Sequence, residues 1–427
     1  MHLFNFAFFA PLCAIKSHSM KLTEDYTAIL ISIILILVAW SGITLWFPSI
    51  GWNNFSELTT AIGSLSALTI LILFGLSFLI LWIASFLKGE TLSLTTIRGY
   101  LFIFLITFIA HVLTGYSPAK GVGLEIVIFS LLIGLFISNV LSVPAWLKPV
   151  LQTELYIKIG LVMLGCGILF GDIMKAGSLG MIQSIIVVLA VWQFCFWLGK
   201  KFGLDDEYRT MLASAVSICG VSAAIATAGV IKGDNKKLSY IISLVLITAI
   251  PMLLFMPYIA KAIGLNDATA GAWMGGTIDT TGAVVAAGNM LGEEGLKYAT
   301  VVKFSQNVLL GFAAFAISVY WTYTKKETAD KPTASMIWDR FPKFVLGFIM
   351  ASLIFSFVLP ADLVSTLKTP LKNIQTFWFA LAFTCIGLET RFADIFNKES
   401  KKPAAVFLIA QVFNILITLA VAWIIFG

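Results

Sequence analysis

Long uninterrupted apolar stretches, broken only by short charged loops, leave this chain very few ways to fold. Thr27–Leu45, Ala61–Leu87 and Met181–Leu198 are three of them. About 20 apolar residues let a helix cross a hydrocarbon layer roughly 30 Å thick. Of the 427 residues, 59% are hydrophobic and 12% charged, so most of the chain belongs in lipid. Such runs, separated by charged loops, read as membrane-spanning helices. The expected fold is an all-α polytopic membrane protein with about 11–13 transmembrane segments.

The segments fall near 27–47, 61–87, 98–115, 121–142, 153–170, 178–199, 207–232, 238–262, 267–291, 295–323, 339–358, 370–390 and 401–425. Residues 1–26 read as an N-terminal lead in which Met20-Lys21 is an alternative start. Residues 27–427 form a single transmembrane domain, with repeat halves near 98–262 and 267–427. The longest polar connections, about 325–343 and 389–402, are too short for a soluble catalytic domain. The net charge of +6 marks orientation, not nucleic acid. Most of the 28 Lys and Arg residues fall on the side of the N-terminus, which places that end in the cytoplasm. The five cysteines (Cys13, Cys166, Cys195, Cys219, Cys385) lack metal spacing and read as small apolar packers.

Two stretches resemble each other. LYIKIGLVMLGCGILFGDIMKAGSLG begins at Leu155 and FWFALAFTCIGLETRFADIFNKE at Phe377. Gly167 aligns with Gly387 and Asp172 with Asp394, with two residues inserted between. An odd number of segments separates the copies, so they have opposite orientation. Inverted repeats characterise secondary transporters whose sites lie near the bilayer midplane.

Segments 207–232 and 267–291 are poor continuous helices. Glycine costs about 1 kcal/mol relative to Ala inside a helix, and unwound backbone in a membrane survives only where it lines protein or a cavity. The expected discontinuities are Cys219-Gly220-Val221-Ser222 and Gly275-Gly276-Thr277-Ile278-Asp279-Thr280-Thr281-Gly282. Half-helix N-termini attract anions. Ser222 is a candidate cap for one, and Asp279, Thr280 or Thr281 for the other. Tight packing of small residues accounts equally well for the first segment. Re-entry of both segments, rather than spanning, strengthens the charge bias. Lys303 lies about two turns inside its span, with Gln306 and Asn307 on the next. A buried ammonium needs a partner, and Asp279 is the candidate, as a switchable or as a fixed pair. Asn289 is the best placed of the remaining buried amides. No HExxH, GxSxG, Walker or Rossmann pattern occurs, so the chain is expected not to be an enzyme or an ATP-driven pump, and to hold no cofactor or metal.

Together ICGVSAA from Ile218, GAWMGGTIDTTGAVVAAG from Gly271 and TVVKFSQNVLL from Thr300 resemble the YeiH-type family, bacterial inner-membrane proteins named as sulfate exporters. The GLVMLGCGILFGDI and FPKFVLGFIMASLIFS elements extend the likeness over roughly residues 100–425. The family looks related to the cation/proton antiporter and anion transporter superfamily. That implies an inverted-repeat, elevator-like fold with a scaffold and a mobile core, and in many members a homodimer. By position it implies functional roles for Cys219, Gly220, Ser222, Gly275, Gly276, Gly288 and Lys303. Where the family motif runs through a His, an acidic residue and a Gln, this chain has Asp279, Thr280 and Ala283. A carboxylate there repels anions unless it is protonated or paired. The expected function is secondary transport of a small anion (sulfate-like, sulfonate or carboxylate) coupled to protons or sodium. Cys219, Gly220, Ser222, Gly275, Gly276, Thr277, Asp279, Thr280, Thr281, Asn289 and Lys303 would form the site, and Asp279 and Lys303 the coupling. A cation/proton antiporter and a non-transporting membrane sensor are the alternatives.

Overall fold

The computed structural model describes residues 22–43, 47–48, 50–63, 65–90, 93–121, 125–141, 143–325, 333, 335–395 and 401–427. The lead with Cys13, parts of the two polar loops and the Asp394 side chain lie outside the described residues. Among the described residues, eighteen α-helices follow in order: α1 (Glu24–Trp40), α2 (Phe55–Gly63), α3 (Ala67–Lys88), α4 (Leu94–Thr114), α5 (Ser117–Gly121), α6 (Ile126–Phe136), α7 (Thr153–Gly165), α8 (Phe170–Lys201), α9 (Asp206–Ser214), α10 (Val221–Ile231), α11 (Asn235–Ala262), α12 (Asp267–Thr277), α13 (Thr281–Asn289), α14 (Glu293–Lys325), α15 (Ser335–Arg340), α16 (Phe344–Leu353), α17 (Ala361–Glu389) and α18 (Lys401–Phe426). Six of these, α3, α4, α8, α11, α14 and α18, are long and apolar enough to cross a membrane. Large apolar side chains such as Leu71, Ile72, Ile186, Leu189, Leu416 and Trp423 point outward, as a bilayer-facing surface requires.

The helices sort into two groups by what they touch. One packs α1, α4, α6, α7, α16 and α17 together; the other packs α8, α9, α10, α12, α13, α14 and α18. Close backbone approach makes the first group dense. A Cβ on Gly134 of α6 would lie 2.9 Å from Gly387 Cα, and one on Gly165 of α7 would lie 2.3 Å from Phe348 O of α16. Only glycine fits such crossings.

These two contacts are equivalent, and they carry the internal repeat. α6 and α16 each run on into a five-residue π-helical turn, Ile137–Leu141 and Ile354–Val358. The first turn caps the segment after α17, where Phe392 N donates to Asn139 Oδ1 at 2.8 Å. The second caps the segment after α7, where Phe170 N donates to Ser356 Oγ at 2.9 Å. Equivalent helices α7 and α17 lie antiparallel: Thr153 Oγ1 donates to Glu389 Oε2 at 2.7 Å, while Gly160 packs on Phe379. A repeat whose matched helices run in opposite directions is an inverted one.

Polar contacts define the two ends of the bundle. At one, Lys158 bonds Glu24 at 2.9 Å and Asp25 at 3.0 Å, and Lys88 bonds Gln152 at 3.1 Å. Lys200, Lys201, Lys236 and Lys237 lie at this lysine-rich end as well. At the other, Lys297 bonds Asp172 at 3.2 Å, Lys372 bonds Glu293 at 3.4 Å and Lys261 Nζ donates to Met290 O at 3.0 Å.

Candidate functional site

Both interrupted segments are hairpins, and they enter from opposite ends. α9 starts at the lysine-rich end, and α10 returns there, since Lys237 just beyond it reaches back to Asp205 at 2.8 Å and Glu207 at 3.0 Å. α12 starts at the other end, and α13 returns to it, where Met290 O meets Lys261. Neither segment spans. The first breaks after a π-helical turn, Ala215–Cys219, at Gly220 with φ +58°. That left-handed conformation favours glycine, which has no Cβ to clash. The second breaks over Ile278-Asp279-Thr280, where Ile278 (ψ 127°) and Thr280 (ψ 137°) are extended. The two breaks touch: a Cβ on Gly220 would lie 3.1 Å from Asp279 Cβ.

Each break leaves carbonyls that no helix can satisfy. Side chains from α14 and α18 supply the donors. Lys303 Nζ donates to Ile218 O and to Gln306 Oε1, each at 2.8 Å. Gln306 Nε2 then donates to Ser217 O at 2.8 Å and Gly276 O at 3.2 Å, joining the two half-helices. Asn414 Nδ2 donates to Val216 O at 3.1 Å and Thr277 O at 3.2 Å, and Gln411 Nε2 donates to Thr277 O at 3.1 Å. A cation and three amides thus neutralise the negative ends of two dipoles. The opposite, N-terminal ends of α10 and α13 meet at the same level of the bundle with less help. α10 has Gly220 as its cap and no side-chain bond; Thr280 Oγ1 accepts from Ala283 N at 3.4 Å.

Three cavities follow the seam between the helix groups along α7. A cavity of about 370 Å³ at the lysine-rich end is walled by Cys219, Ser222, Thr281 and Asn307 on one side and by Glu154 and Lys158 on the other. About 160 Å³ at the far end is walled by Glu125, Met163, Asn289 and Phe383. A smaller cavity of about 50 Å³ shares Glu154 and Ile157 with the first and Phe383 with the second, and is also walled by Thr280 and Gly282. Near the breaks, Thr277 Oγ1, Asp279 Oδ2, Asn307 Oδ1 and Gln411 Oε1 are buried without a hydrogen-bond partner. In a dry interior such atoms are costly unless something binds them.

The sequence-derived residues divide. Cys219, Gly220, Thr277, Asp279, Thr280, Thr281 and Lys303 gather at the meeting point, and Ser222 faces the larger cavity. Ser222 is not a cap, because helical geometry already starts at Val221. Gly275, Gly276 and Gly288 are helical packing positions, not part of a discontinuity. A Cβ on Gly275 would lie 2.5 Å from Ala299 O, on Gly276 2.6 Å from Gln183 Nε2 and on Gly288 3.0 Å from Ala299 Cβ. Asn289 lies at the other end of α13, hydrogen-bonded to Glu125. The expected Asp279–Lys303 ion pair is not formed in this conformation, because the ammonium turns to Ile218 O and Gln306. Gln411 and Asn414 of α18, outside the expected site, serve the breaks directly. Glu154 and Lys158, at the start of α7, join the cavity wall without belonging to any motif, and their i,i+4 spacing on an apolar helix is the signal the sequence offers for them. The four described cysteines are free and buried.

A family model described as conserved hypothetical protein 698 matches residues 98–407. A UPF0324 membrane protein of Rhodopirellula baltica is 38% identical over 335 residues, covering 76% of this chain and 62% of that protein. A UPF0324 membrane protein of Nitratidesulfovibrio vulgaris is 38% identical over 344 residues, covering 77% and 59%. One from Nitrosomonas europaea is 31% identical over 338 residues, covering 70% and 68%. The chain spans about three fifths of the length of the first two relatives. No solved structure matches it. A helical bundle with an outward apolar surface and a family match over most of its length make this chain a multi-pass membrane protein of the conserved hypothetical protein 698 family, the YeiH-like group its motifs resemble.

Proposed function

We propose that the protein is a secondary active transporter of a small anion, coupled to protons or sodium and without enzymatic activity. One observation carries the reading: the N-terminal ends of α10 and α13 converge mid-bundle beside a cavity open toward the lysine-rich end. Free N–H groups at two helix starts attract negative charge, and Ser222, Thr281 and Asn307 add polar contacts on the same wall. Sliding the group that holds both hairpins against the group that holds α7 and α17 would carry this point along α7 and past Phe383 of α17. It would then face the cavity at Asn289. The positive-inside rule puts the lysine-rich end, with the N-terminus, in the cytoplasm of a bacterial inner membrane.

A cation/proton antiporter is the second reading. It is favoured by Asp279 Oδ2, a buried carboxylate oxygen with no partner at the breaks. Counterflow of labelled sulfate, methanesulfonate and acetate into proteoliposomes, with pH or sodium gradients imposed separately, tests both. Gradient-responsive uptake of any of these anions supports the first reading. Proton efflux driven by sodium, with no anion uptake, would replace it with the second.

A further inference from the structure

We propose that Arg340 makes the larger cavity select oxyanions (sulfate, sulfonates, carboxylates) over halides. This rests on the anion-carrier reading and names its substrate class.

Three cationic side chains line that cavity: Lys158, Arg340 and Lys343. Two are already engaged. Lys158 Nζ lies 2.9 Å from Glu24, 3.0 Å from Asp25 and 3.8 Å from Glu154, so three carboxylates surround one ammonium. Lys343 Nζ donates to the Trp338 and Asp339 carbonyls and closes the end of α15. Arg340 makes no ion pair or side-chain hydrogen bond to any described residue. Its carboxylate neighbour Asp339 is exposed and leaves it unpaired.

The guanidinium is nonetheless held in place. α15 is fixed to α14 by backbone contact, since a Cβ on Gly311 would lie 2.5 Å from Ile337 O. From the end of α15, Arg340 reaches across to α10, where a Cβ on Gly229 would lie 3.1 Å from Arg340 Nη2. It therefore bridges two helices of the hairpin-bearing group, on the same cavity as Ser222 and the start of α10. A planar guanidinium presents paired N–H donors that match two oxygens of one anion, which a spherical halide does not offer. Helix N-termini attract any anion, so they supply attraction without discrimination. Arg340 supplies the discrimination. The volume, about 370 Å³, suits a small organic or inorganic oxyanion with its water.

The test is uptake by full-length protein in proteoliposomes, with sulfate, methanesulfonate, acetate and chloride as labelled probes, for wild type, R340K, R340Q and G229A. Wild type should prefer at least one oxyanion to chloride, and R340Q should lose that preference by about tenfold or more through KM, with kcat less affected. R340K, keeping charge but not the planar fork, should lose selectivity while still moving anions. G229A, which displaces the guanidinium without touching its charge, should fall between wild type and R340Q. It also guards against misfolding of R340Q, because alanine suits a helix better than glycine. An R340Q protein that keeps the wild-type KM and oxyanion preference overturns the role of Arg340 and leaves anion transport standing. A wild type that moves none of the four anions overturns the anion reading, and this inference with it.

Discussion

The two hairpins meet at one point yet are broken by different means. The first, α9 to α10, breaks through backbone alone. A π-helical turn ends at Gly220 in the left-handed region, and no charged side chain sits in the break. The second, α12 to α13, breaks through extended residues of ordinary φ and carries a carboxylate, Asp279, with one oxygen unpartnered. The first opens on the larger cavity through Cys219 and Ser222. The second keeps Thr277 and Asp279 buried and exposes only its cap region. In the proposed carrier the first hairpin therefore shapes access, and the second holds the titrating group. Lys303 and Gln306 serve carbonyls of the first, and Gln306 also reaches Gly276 of the second, so one α14 turn holds both.

That division of labour can be broken experimentally. Lys303→Met should have the largest effect. It leaves Ile218 O and Gln306 Oε1 without donors, at about 1–3 kcal/mol each. Thermal unfolding of the purified protein should drop accordingly, and flux should be lost; normal flux would return Lys303 to mere packing. Gly220→Ala should come next. Its Cβ would lie 2.6 Å from Val245 Cγ1 at a residue with φ +58°, costing about 3 kcal/mol through strain and overpacking. Thr280→Ala, at φ −102°, removes only a weak cap and should cost under about 1 kcal/mol. Equal losses for these two would show that both breaks depend on backbone in the same way. The smallest structural effect belongs to Asp279→Asn, which should fold as stably as wild type and keep transporting while its flux loses dependence on pH. An unchanged pH profile would remove Asp279 from coupling.

Much of this was legible in the sequence, for physical reasons. Apolar runs of spanning length can only be helices, and the repeat surfaced through a shared Cys, Gly and Phe-x-Asp-Ile pattern; the structure shifts its register, because the glycine in a close helix crossing that matches Gly387 is Gly165, whereas a Cβ on Gly167 would meet nothing nearer than 3.6 Å. Gly220 was found because it interrupts a helix. The same rule misplaced Gly275 and Gly276: a glycine needed for helix contact and one needed for positive φ look alike until the neighbouring helix is seen. The partner of Lys303 was missed because proximity in sequence pointed to Asp279, whereas the nearest acceptors are a carbonyl of the other hairpin and a side chain one turn on. Arg340 was invisible for a similar reason. Its position in a polar loop says nothing of the cavity that α15 brings it to.

The central claim is that two hairpins enter from opposite faces and meet. Membrane-impermeant thiol labelling tests it most directly, using single cysteines in an otherwise cysteine-free protein at Gly203, Gly233, Gly264 and Gly292, the four hairpin ends. The account predicts that Gly203→Cys and Gly233→Cys label from one face of the membrane, and Gly264→Cys and Gly292→Cys from the other. Labelling of Gly203→Cys and Gly233→Cys from opposite faces would make the first segment a span. The meeting of two half-helix N-termini, and the anion site built on it, would then be wrong.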